Sequence, residues 1–177
     1  MNMLNYINKF DITIIRYVNR IRNKMLDRIM PLITACGNLG ILWIVISFFL
    51  IRKEVTRQLG LMIISALILT TVISEGIIKH IVKRKRPFID HNEQKLLIAI
   101  PITYSFPSGH TASSFAVAGV FIEMDSSISL IIITLATLIT FSRLYLKVHY
   151  PSDVIFGGFI GFICAIIVVY LFHGVLS

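Results

Sequence analysis

Long apolar blocks separated by short charged connections dominate the chain, and the block lengths are those of membrane-crossing helices. Residues 29–51 carry no charged side chain, and residues 59–82 are apolar until Glu75, Lys79 and His80 near their end. Residues 108–122, 129–145 and 151–172 form three further apolar stretches. About 20 such residues cross a hydrocarbon core of about 30 Å. The pattern predicts an all-α, polytopic membrane helix bundle with about five transmembrane helices. Cys36-Gly37-Asn38-Leu39-Gly40 interrupts the first span, so a kink is expected there. Pro87, Pro101 and Pro107 block helix through the longest connection. Ahead of the spans, residues 4–28 place Leu4, Ile7, Ile14, Ile15, Val18, Ile21, Met25 and Leu26 mostly at helical spacing, with Lys9, Arg16, Arg20, Arg22 and Lys24 between them. A basic amphipathic helix of this kind is expected to lie in the membrane interface.

Composition agrees with the pattern. Hydrophobic residues make up 56% of the 177 positions and charged residues 15%, against about 45–50% and about 25% in ordinary globular chains. A soluble core of this size could not bury such blocks on all sides, so a single membrane-embedded domain over residues 1–177 is expected. The finely mixed charge of the first 28 residues does not resemble a secretory signal, and insertion is expected to be driven by the helices themselves. Cys36 and Cys164 sit in apolar runs and read as small buried hydrophobes. The net charge of +8 gathers in residues 9–28, 52–57 and 79–86. In a membrane chain such clusters mark lipid headgroups, topology or an anionic substrate, and no nucleic-acid partner is expected.

Ionisable residues beside membrane helices are costly and point to function. Three polar clusters stand out: residues 79–87 ending the second span, 107–110 opening the third, and 142–153 joining the fourth to the fifth. Counting crossings puts all three on one membrane face. Lys79, Arg86 and Arg143 supply fixed positive charge, and the Arg fork suits phosphate oxygens. Ser108 is placed to cap a helix whose free amides, next to Gly109, would attract an anion. His110 and His149 can carry protons or attack phosphorus near neutral pH. Asp153 follows His149 by four residues, so one helical turn could bring its carboxylate to the imidazole and fix its tautomer.

Together these clusters resemble the signature of the type 2 phosphatidic acid phosphatase superfamily. Lys79 and Arg86-Pro87 match its first motif, Pro107-Ser108-Gly109-His110 its second, and Ser142-Arg143, His149 and Asp153 its third. The motifs cover residues 79–153 of the chain. The resemblance implies that His149 attacks phosphorus to form a phosphohistidine, with Asp153 bonded to its other nitrogen. It implies that His110 protonates the leaving oxygen and then helps activate water. Lys79, Arg86, Ser108, Gly109 and Arg143 would hold the phosphoryl oxygens. No cofactor and no metal is expected. Lys83, Arg84 and Lys85 match no fixed position, and Glu75, one turn before Lys79, is placed to pair with it. His80, His91 and His173 read as ordinary polar residues, and Trp43 and Tyr170 as interfacial or packing aromatics.

The expected substrate is a membrane lipid phosphate or diphosphate, such as undecaprenyl diphosphate, phosphatidylglycerol phosphate or phosphatidic acid, held in the bilayer of the cell membrane. The first two are favoured. The resemblance puts the pocket on the extracytoplasmic face, whereas the density of Lys and Arg on that side would by itself indicate the cytoplasm. Phosphate ligation and a flat first helix account for several of those cations, and the outer face is expected. Two rivals share the anion site: a vanadium-dependent haloperoxidase, and a lipid-phosphate carrier that binds without chemistry.

Overall fold

The computed structural model describes residues 3–90 and 96–176, and among them there is no β-strand. His91 lies outside the described residues. The chain forms α1 (Met3–Arg20), α2 (Lys24–Cys36), a 3-10 turn (Asn38–Gly40) and α3 (Ile41–Ile51). Next come α4 (Glu54–Thr71), a π-helical segment (Val72–Ile78), α5 (Lys79–Val82) and the short α6 (Pro87–Asp90). The chain ends with α7 (Gly109–Glu123), α8 (Ser129–Tyr145) and α9 (Pro151–Leu176).

Among the described residues two stretches are long and apolar enough to cross a membrane: Glu54–Val82, which runs unbroken through the π-helical segment, and Pro151–Gly174. A third is the pair Lys24–Cys36 and Asn38–Ile51, bent by 43°. The bend falls where the sequence predicts a kink, because Leu39 and Gly40 both take positive φ angles of 50° and 65°. Ser129–Tyr145 is apolar but shorter.

The amphipathic segment expected over residues 4–28 is two elements. α1 stops at Arg20, and Asn23 starts α2 by accepting from the amides of Met25 (3.0 Å) and Leu26 (2.9 Å). Its own amide donates to the Tyr145 hydroxyl (3.3 Å), which in turn donates to Asp27 (2.8 Å). The basic periodicity was shared by both helices, and only the capping geometry separates them.

The core gathers Trp43, Met62, Ile63, Ala66, Val117, Phe121 and Ile139. Trp43 is a packing residue, fully buried, with its indole nitrogen donating to the Ser114 hydroxyl at 3.2 Å. Cys164 is buried as expected, whereas Cys36 is exposed. α7 packs most extensively against α9. Small residues allow that approach in place of a hydrophobic drive between helices. A Cβ on Gly161 would stand 2.1 Å from the Ala112 carbonyl oxygen, and one on Gly157 would stand 2.7 Å from that of Ser108. The contact brings the start of α7 against the start of α9, where the Ser108 amide donates to the Asp153 carbonyl at 3.1 Å.

Candidate active site

A cavity of about 570 Å³ opens beside these helix starts. Its apolar end is lined by Leu39, Ile44, Ile64, Leu67, Ile68 and Val72, and its polar end by Lys79, Arg86, Gly109, His110, Arg143 and His149. Six of the eight site residues expected from sequence therefore line one cavity. The other two, Ser108 and Asp153, are fully buried behind its wall.

His149 lies in the connection between α8 and α9 and is 2% exposed. Its Nδ1 sits 2.7 Å from the Ser105 carbonyl oxygen. A carbonyl can only accept, so Nδ1 carries the proton and Nε2 keeps its lone pair. Nε2 lies 3.2 Å from Nη1 of Arg86 at the cavity wall. Burial first, then the charges of Arg86, Arg143 and Lys79, hold the imidazole well below its usual range. It is therefore neutral at pH 7 and able to act as a nucleophile.

The expected bond from Asp153 to His149 is not the one formed. The nearer Asp153 oxygen is 3.7 Å from Nδ1, and its partners are the Tyr150 amide (2.8 Å) and the Ser105 hydroxyl. The other carboxylate oxygen takes Arg84 at 2.7 Å. Asp153 thus supports the histidine through Ser105. The four-residue spacing does set the two residues one turn apart, but the loop carbonyl reaches Nδ1 first.

The cations differ in how they are held. Arg86 is 3% exposed and donates to the carbonyls of Thr103 (2.7 Å), Val148 (2.7 Å) and Tyr104 (3.1 Å) and to the Thr103 hydroxyl (3.1 Å). Burial draws its pKa down to about 10, against the opposing influence of Glu75 and Asp153. Arg143 is 4% exposed; its Nη1 donates to the Thr34 hydroxyl, while its buried Nε has no partner among the described residues. Arg143 lines the cavity, so its charge is available to an anion there. Lys79 pairs with Glu75, as the four-residue spacing suggested. That carboxylate lies against Gly109, where an added Cβ would stand 2.2 Å from its oxygen.

Ser108 occupies the N-cap position of α7 but caps no amide with its side chain; its hydroxyl accepts from Thr111 at 3.0 Å. The first amides of α7, with no carbonyl one turn earlier, remain to attract an anion. His110 sits on that first turn, and its Nε2 is 2.9 Å from Oδ1 of Asn38, in the kink of the bent helix pair.

Four partners escaped the sequence reading: Ser105, Asn38, Thr34 and Asp11. Asp11 alone left a signal, because it stands on the apolar stripe of α1 between Ile7 and Ile14, where a carboxylate needs a buried partner. Arg84, which matched no motif, is that partner at 2.7 Å. Burial works against the charge of Arg84, but Asp11 and Asp153 outweigh it and raise the pKa.

Residues 56–176 match the sequence model of the PAP2 superfamily. An undecaprenyl-diphosphatase of Sulfolobus acidocaldarius is 29% identical over 154 residues, covering 86% of this chain and 73% of that protein. The crystal structure of Aquifex aeolicus LpxE superposes with a TM-score of 0.79 at 31% identity, covering 90% of this chain and 94% of that one. A phosphatidylglycerolphosphate phosphatase of PAP2 type from Bacillus subtilis has the same fold, with a TM-score of 0.77 at 24% identity over 94% of this chain and 86% of its own.

Proposed function

The chain belongs to the PAP2 superfamily and is a membrane phosphatase, and from that premise we propose that it cleaves the terminal phosphate of a lipid phosphate or diphosphate through a phosphohistidine. Nε2 of His149 attacks phosphorus, and the bond from phosphorus to the leaving oxygen breaks as His110 delivers its proton to that oxygen. Water then attacks the phosphohistidine, His110 takes the water proton, and inorganic phosphate leaves. Lys79, Arg86, Arg143 and the amides at Gly109 hold the equatorial oxygens and offset their charge in the transition state. Asp153 and Ser108 act from behind the cavity wall.

The observation that carries this reading is the neutral imidazole of His149, with Nδ1 locked by Ser105 and Nε2 presented to a cavity ringed by three cations. The scheme uses no metal.

The substrate is an isoprenoid diphosphate or a phosphatidylglycerol phosphate. The apolar end of the cavity suits a lipid tail, and the undecaprenyl-diphosphatase relative supports the first choice. The chain works as one domain of five spans, with α1 lying in the interface and the cavity opening on the extracytoplasmic face of the cell membrane. Phosphate release from purified lipid phosphates and diphosphates in detergent tests the reading, with His149→Ala as the blank and excess chelator as a second arm. Release that survives His149→Ala would exclude the nucleophile, and loss of release in chelator would exclude the metal-free scheme.

A further inference from the structure

Asp11 is fully buried although it lies outside all three phosphatase motifs and ahead of the segment that matches the family model. A buried carboxylate is costly unless its oxygens are satisfied, and here both are. Oδ1 accepts from the Ser152 amide at 2.8 Å, and Oδ2 accepts from the Ser152 hydroxyl and from Nη2 of Arg84, each at 2.7 Å. Ser152 is the second residue of α9, and Pro151 before it has no amide hydrogen, so a residue of α1 caps the first free amide of α9.

The same guanidinium continues the network. Nη1 of Arg84 donates to the Ser152 hydroxyl at 2.6 Å and to Asp153 at 2.7 Å, and the guanidinium lies 4.0 Å from the centre of the Tyr150 ring. The Arg84 carbonyl accepts from the Ser105 amide at 2.8 Å. Ser105 bonds Asp153 with its hydroxyl and His149 with its carbonyl. An unbroken chain of hydrogen bonds therefore runs from Asp11 through Arg84, Asp153 and Ser105 to the imidazole.

We propose that Asp11 and Arg84 are positioning residues for His149, which makes the N-terminal helix part of the catalytic apparatus. Neither touches the cavity; both act by fixing Asp153 and the Ser105 carbonyl, and through them the direction of Nε2. The proposal rests on His149 as the nucleophile. Outer-shell partners of this kind are commonly worth about 10–100-fold, and small misplacements of a nucleophile cost rate rather than affinity.

The test measures phosphohistidine formation and steady-state turnover of farnesyl diphosphate and phosphatidic acid in detergent micelles by the full chain. Asp11→Asn should lower kcat and the rate of phosphoenzyme formation about 10–100-fold, leaving KM within about threefold. Melting temperature and gel filtration confirm the fold. In an Asp153→Asn background the same change should cost less than about threefold, because the link it acts through is already cut. Arg84→Lys keeps the charge but lacks separate nitrogens for the two carboxylates; it should show the same kcat loss and serves if Asp11→Asn does not fold. A folded Asp11→Asn or Arg84→Lys protein with kcat within twofold of the parent overturns the proposal. An equal fractional loss in the Asp153→Asn background does so as well. Activity in His149→Ala would instead overturn the phosphohistidine reading on which the proposal stands.

Discussion

The carbonyl oxygen of Ser105 accepts from Nδ1 of His149 at 2.7 Å, so a backbone group of the long connection, rather than a carboxylate, fixes the tautomer of the proposed nucleophile. Asp153 stands one bond further back. The ranking of the two side chains follows. His149→Ala should abolish phosphoenzyme formation, whereas Asp153→Asn should retain about 1–10% of the parental rate, since the Ser105 carbonyl still holds the ring. Single-turnover rates with a lipid phosphate check this order, and equal loss in the two variants would count against it.

The imidazole should also set an unusual pH profile. Burial and the three cations keep His149 neutral well below its ordinary value of 6.5. In the free enzyme Nε2 thus remains unprotonated in mild acid. The acid limb of kcat/KM, corrected for ionisation of the substrate, should lie below pH 6.5. Stability moves in the matching direction. Below pH 6.5 the unfolded chain binds a proton at this position that the folded chain does not, so unfolding free energy should fall with pH by up to about 1.4 kcal/mol per unit. Lys79→Met removes one of the cations and should shift the kinetic limb upward.

Asn38 offers a separate handle on the acid step proposed for His110, because its Oδ1 lies 2.9 Å from Nε2 of that residue. Asn38→Ala should slow cleavage of phosphatidic acid, whose alkoxide needs a proton, by about tenfold or more. It should slow cleavage of p-nitrophenyl phosphate, whose leaving group departs without one, by less than about threefold. Equal slowing of both would show that Asn38 does not serve the acid.

Lys79 and Glu75 are paired, so a phosphate held by Lys79 as proposed would compete with an internal carboxylate for the same ammonium. Glu75→Gln removes that competitor. Inorganic phosphate and vanadate should then inhibit more strongly, with Ki lower by roughly tenfold. Unchanged inhibition constants would mean that the carboxylate stays aside when the site fills.

Sidedness can be read at Ile102, almost wholly exposed in the connection before α7. A cysteine placed there, with Cys36 and Cys164 replaced, should react with an impermeant maleimide in intact cells. Labelling only after lysis would put the cavity on the cytoplasmic face.

Much of this site was legible because chemistry that needs particular residue types fixes their spacing. Lys79, Arg86, Gly109, His110, Arg143 and His149 were named from sequence and line one cavity. Helical character was legible too, since apolar blocks of that length have few other uses. The residues missed are those whose contribution has no local pattern. Ser105 acts through a carbonyl that every residue possesses. Asn38 reads as a helix breaker until the bend is seen to deliver it to His110 across 72 positions of sequence. The boundary at Asn23 was hidden because the basic spacing of α1 continues into α2. Asp11 could have been found from its place on an apolar stripe, although its partner Arg84 could not.

Gly161 and Gly157 let α9 lie directly on the backbone of α7, and the two histidines stand at or beside the starts of those helices. The separation of the two histidines is thus set where α7 meets α9, whereas the apolar side chains of the cavity come mostly from α3 and the second half of α4. The two sets of side chains belong to different elements. A lineage could refit the apolar lining to another hydrocarbon while the two histidines kept their spacing, and a designer could do the same.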